Sequence, residues 1–123
     1  MSIASEVYHI DLSHPGLVHI AQSAVVEIAG GPYTQKSSLW FERQNLPWVV
    51  EALRKCLETC DTGSLSHASG NDKMTVYEAG SIAQPTFNID NVRMAGSVRE
   101  GTCWIGMSRS TAEKLLDDLA ALM

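Results

Sequence analysis

Two tryptophans stand in matching contexts in this 123-residue chain. Leu39-Trp40-Phe41 recurs as Cys103-Trp104-Ile105, and each triplet runs into an amphipathic helical pattern. An indole on a sheet face can stack a nucleic-acid base or anchor a protein partner. Tyr33, Lys36, Arg93 and Arg99 fall in or beside the neighbouring hairpins, where they would meet bases and phosphates. These four, with Trp40 and Trp104, form the candidate site. Other chemistries find no pattern. His9, His14, His19 and His67 lack zinc-motif spacing. Neither a Gly-x-Ser-x-Gly elbow nor a recognised catalytic cysteine string occurs. Gly30-Gly31-Pro32 reads as a hairpin turn before a strand, whereas a phosphate loop must open a helix. The chain is therefore expected to be a non-enzymatic binding module without metal or cofactor.

The elements that must position these residues come in duplicate. Val7-Tyr8 recurs as Val76-Tyr77, and Val26-Glu27-Ile28-Ala29-Gly30 as Val92-Arg93-Met94-Ala95-Gly96. With the tryptophan triplets, the offsets are 69, 66 and 64. The reading is α+β: two tandem ββββα repeats with antiparallel sheets, each covered by one C-terminal helix, forming one intertwined globule. Repeat one covers residues 1–60 and repeat two residues 73–123. Residues 61–72, rich in Gly and small polar side chains, read as the linker. Strands are expected near 5–12, 17–22, 24–29 and 37–43, then near 73–79, 81–84, 86–95 and 101–107. The second and third of these are open to being one bent strand. Gly80, Pro85 and Gly96 punctuate the second set.

The first helix is expected to start at Asn45, a favoured cap, with Pro47 tolerated in its first turn. Val49, Val50, Leu53, Cys56 and Leu57 form its apolar stripe. The second helix starts at Ser108 or Ser110, and Ser110 with Glu113 has the spacing of a capping box. Leu115, Leu116, Leu119 and Leu122 form its stripe, with Glu113, Lys114, Asp117 and Asp118 facing water.

Side chains alternate between the faces of a strand. If Leu39 and Phe41 face the helix, Trp40 and Glu42 point away. If Cys103, Ile105 and Met107 face it, Thr102, Trp104 and Gly106 point away. Glu27 and Ala29, and in the second half Arg93 and Ala95, are assigned to that uncovered face. Two bare indoles need a cover. It is the facing half or a second chain, a stacked single strand, or a docked protein.

Fourteen acids against nine bases give a net charge of −5. The two halves carry similar balances, and no basic run occurs. Such a chain is a poor candidate for duplex DNA, whose binding is dominated by phosphate neutralisation. It remains compatible with single strands held by stacking. No stretch approaches 18 consecutive apolar residues. The opening MSIASEVYHIDL lacks the pattern of a secretion signal. Cys56, Cys60 and Cys103 are an odd set that reads as reduced thiols, so a cytoplasmic location is expected.

The duplicated four-strand-and-helix plan resembles the PUR-domain family and, more loosely, Whirly-type single-strand binders. The likeness is one of pattern over nearly the whole chain. No family string of residues recurs, so no binding position is carried over from it. The resemblance implies two repeats intertwined in one globule whose sheets bind single-stranded DNA or RNA. A second expectation rests on the acidity: an inhibitor or adaptor, encoded by a phage or mobile element, that covers a basic protein surface. Glu113, Asp117 and Asp118 would lie on its contact face. A homodimer is compatible with either.

Overall fold

The computed structural model describes residues 2–59, 63–80 and 85–123, with side chains from Ser5 onward. Strands β1 (Ser2–Asp11), β2 (Leu17–Ile28) and β3 (Gly31–Glu42) form an antiparallel sheet in that order. A 3-10 turn, Arg43–Asn45, leads into helix α1 (Leu46–Glu58). Strands β4 (Leu65–Ser69), β5 (Asp72–Gly80), β6 (Pro85–Arg93) and β7 (Gly101–Ser108) form a second antiparallel sheet, followed by helix α2 (Arg109–Ala120). The fold is α+β, with a three-stranded and a four-stranded sheet, each followed by a helix and packed together.

The first sheet has three strands, not four. β2 runs unbroken through Gln22 and Ser23, because residues 18, 20, 22, 24 and 26 keep one buried face with no phase change. Residues 65–72, expected to be part of a tether, are structured. β4 and the turn at Gly70 and Asn71 lie within them, and Ser69 pairs with Asp72 across that turn. Residues 60–62, and the strand expected at 81–84, lie outside the described residues.

The core is shared between the two units. Val18, Ile20, Leu39 and Phe41 of the first sheet join Met74, Val76, Phe87, Ile89, Ile105 and Met107 of the second. Val49, Val50, Leu53 and Cys56 of α1 and Ala112, Leu115 and Leu119 of α2 close it. The helix stripes follow the expected spacing, with Leu57, Leu116 and Leu122 only partly buried and Ala112 added to the second. Each helix, however, packs on the second sheet: α1 meets β5, α2 meets β6 and β7, and the helices touch each other. β3 lies beside β7. Across that junction the Gln22 amide bonds both ways to the Gly106 peptide. Its Oε1 accepts the Gly106 N–H at 3.1 Å, and its Nε2 donates to the Gly106 carbonyl.

Both helix starts differ in detail from expectation. Asn45 does precede α1, but its amide donates to Asp72 at 2.8 Å and makes no cap bond. Ser108 precedes α2, and the Ser110–Glu113 box does not form. Glu6 of β1 instead accepts the Ser108 N–H at 3.1 Å. That places a carboxylate at the positive end of α2, where it is favourable.

Candidate functional site

The alternation in β3 and β7 places both tryptophans on the face away from the core, as expected. Leu39, Phe41, Ile105 and Met107 are buried beneath them. Their environments nevertheless differ. Trp104 is 38% exposed, whereas Trp40 is 8% exposed. The register explains the difference. Trp40 pairs with His19, and His19 pairs with Asp11, so the three share one row. The His19 ring stacks on the indole at 3.8 Å with a 7° interplanar angle. His14, from the β1–β2 turn, meets it edge-on at 4.8 Å. The Arg99 guanidinium lies over the same indole, 4.3 Å from the ring centroid. Trp40 is therefore already stacked within the protein and is not a bare platform for a base.

Arg99 reaches that position from the β6–β7 loop with φ +60°. It is the one residue other than glycine with a positive φ among those described. A left-handed conformation costs an L-residue roughly 1–2 kcal/mol, so the loop holds this backbone against a local preference. The Asp11 carboxylate stands 3.9 Å from Nδ1 of both His14 and His19. Burial lowers the His19 pKa; Asp11 opposes that shift and Arg99 adds to it. The stacked imidazole is consequently neutral near pH 7. Hydrogen bonds from Ser13 hold the Asp11 carboxyl below its usual range.

Four of the six expected site residues come together. Lys36, Trp40, Arg99 and Trp104 line one open cleft of about 380 Å3, with Glu100 and Thr102 beside them. Tyr33 does not join them. It pairs with Val26 near the far end of the β2–β3 hairpin and shares the parity of Leu39 and Phe41.

Arg93 contradicts its expected place. The uncovered residues of β6 are Asn88, Asp90 and Val92, paired with Gly106, Trp104 and Thr102. Arg93 is one residue out of phase and points inward, 3% exposed, paired with Asp72. Asp72 also accepts the Glu42 N–H at 2.6 Å and the Asn45 and Asn91 amides at 2.8 and 3.0 Å. Asn91 donates in turn to the Trp40 carbonyl at 2.7 Å. This buried polar cluster pins β3 against β5 and β6, and so fixes the backbone under Trp40. Sequence reasoning missed it because it spans residues 42–93.

The cysteines behave as packing residues. Cys56 is buried in the core. The Cys103 thiol donates to the Trp40 carbonyl at 3.5 Å, and burial pushes its pKa up. Cys60 lies outside the described residues. His67 stacks on Trp48, with centroids 5.0 Å apart, a pairing the sequence did not suggest. Among the described residues, no cluster of three His, Cys, Asp or Glu side chains is arranged to hold a metal ion. Among them, no helix is long and apolar enough to cross a membrane. No protein-family model matches the chain, and no curated protein matches it.

Proposed function

We propose that the protein is a non-enzymatic module that binds single-stranded nucleic acid, with the Trp104 indole as the stacking surface. The observation that carries this reading is the convergence of the exposed Trp104, Arg99 and Lys36 on one cleft. One stacked base is worth about 1–3 kcal/mol, and cations flanking a stacking surface are the usual arrangement of such sites. Arg99 and Lys36 supply the phosphate contacts. The reading treats the two units as copies of one strand–helix unit, equivalent at Trp40 and Trp104. Arg93 and Tyr33 have no part in it.

Two phosphate contacts set a modest salt dependence. At a slope of about −0.7 per contact on single strands, affinity falls roughly sevenfold between 50 and 200 mM salt. The test is fluorescence anisotropy with a labelled mixed-sequence single-stranded 20-mer at low salt. Trp104→Ala should weaken binding roughly 5- to 150-fold, the equivalent of one lost stack. Absence of binding by the wild-type protein at 50 mM salt refutes the reading. A basic protein partner on α2 has less to stand on. Glu113 lies 3.7 Å from Arg109, and Asp118 accepts the Tyr8 hydroxyl, so two of the three acids are engaged within the molecule.

A further inference from the structure

The Trp104 cleft is not the only concavity on the uncovered side. A trough of about 640 Å3 crosses the first sheet, with Val7 and His9 of β1, Ala21 and Ser23 of β2, and Lys36 and Ser38 of β3 on its floor. The register explains its shape. Val7, Ser23 and Lys36 form one cross-strand row, and His9, Ala21 and Ser38 form the next. Small residues hold the centre of both rows, so the floor dips between Lys36 at one side and the Trp40–His19 row at the other. Its charge is as informative as its shape. The protein is acidic overall, yet among the described residues no Asp or Glu lines this trough. The trough and the Trp104 cleft share Lys36, Ser37 and Ser38, so the two adjoin.

We infer that a single strand held at Trp104 continues past Lys36 into this trough, so that the ligand is a run of several nucleotides and not a nucleotide or dinucleotide. This rests on the function proposed above and fixes the size class of its ligand. A trough without a described acid in its lining is where a polyanion meets least repulsion on an acidic protein, with Asp11 in the adjoining row and Glu100 in the cleft both outside that lining. The small floor residues let the sugar–phosphate chain lie close to the sheet. Crossing from β1 to β3 covers two strand spacings, about 10 Å, and β7 lies within 8 Å of β3. At the roughly 3.4 Å rise per stacked nucleotide, the path holds about 5 nucleotides.

The test is a length series of labelled oligo(dT), 2, 4, 6 and 12 nucleotides long, titrated with wild type, Ser23→Glu and Ser23→Lys. Wild-type affinity should rise at least tenfold from the 2-mer to the 6-mer and then level off. Ser23→Glu places a carboxylate opposite Lys36. It should weaken the 12-mer roughly tenfold and the 2-mer, whose Lys36 contact it partly neutralises, by no more than about threefold. Ser23→Lys has similar bulk and should tighten the 12-mer, steepening the salt slope by about 0.7. The inference is overturned if wild-type affinity is flat from the 2-mer upward. It is equally overturned if a folded Ser23→Glu protein holds the 12-mer as wild type does. In both cases binding at Trp104 stands. If no length binds, that site and the trough fall together.

Discussion

Replacing Asp72 by Ala should remove a large part of the protein's stability. The carboxylate is fully buried, and the Arg93 side chain it pairs with is 2% exposed. Its Oδ1 accepts from Arg93 and Asn91, and its Oδ2 from Asn45 and the Glu42 N–H. The substitution strands a buried guanidinium and takes an acceptor from three further donors. Breaking one side of a buried ion pair costs about 3–5 kcal/mol. For 123 residues, total stability is roughly 6–18 kcal/mol at 0.05–0.15 per residue. The loss is therefore on the order of a third of the whole. With a urea m-value of about 1.5 kcal/mol/M, the midpoint should fall by about 2–3 M, read by circular dichroism at neutral pH. Arg93→Leu should cost less, because Asp72 keeps three of its four donors. The double variant should be less destabilised than the two losses summed, since the partners interact directly. A midpoint for Asp72→Ala within about 0.5 M of wild type would refute the reasoning, because it would mean that water reaches the pair. The same measurements separate two roles for Arg93. A phosphate-binding arginine would change affinity and leave stability alone.

Trp40→Ala should destabilise the protein by about 3–5 kcal/mol, as loss of a buried large aromatic does, while the exposed Trp104→Ala should leave the urea midpoint nearly unchanged. Stability should decline from pH 7 toward pH 5 through His19. Its folded pKa is lowered, so the unfolded chain binds the proton first and is favoured as pH falls through the ordinary histidine range. His19→Phe keeps a ring on Trp40 and should flatten that part of the profile in pH-dependent thermal unfolding. Gly70→Ala should lower the unfolding temperature. Gly70 has φ +60°, and a β-carbon there would collide with the Glu42 carboxylate and the Gln44 amide. A Gly70→Ala protein as stable as wild type would show that the β4–β5 turn can move away from Glu42.

What could be read from the sequence divides along one physical line. Alternation within a strand is local, so the faces of β3 and β7 and the stripes of both helices were legible. Alternation between strands depends on register, and shifting a strand by an odd number of residues turns every side chain to the other face. Matching Val26–Gly30 to Val92–Gly96 implies an offset of 66. The pairs Trp40–His19 and Trp104–Asp90 instead make β2 and β6 equivalent at His19 and Asp90, an offset of 71. The difference is odd, so Arg93 was assigned to the bare face when it belongs to the core. The match of Val7 to Val76 fails in the same way: Val7 is 66% exposed and Val76 fully buried. β4 was read as a tether for a different reason. It is short and polar, and only pairing with β5 makes it a strand.

The cleft survived these errors because β3 and β7 lie side by side. Two tryptophans on the same face of adjacent strands must share a surface, and the loop entering β7 must then deliver Arg99 to it. By the same logic the trough left only a partial signature in the chain: residues 12–41 carry a single acid, Glu27. Its floor is drawn from three strands at alternate positions, so that run does not say which side chains share a face. The pairing of Val7 with Ser23, and of Ser23 with Lys36, brings them together.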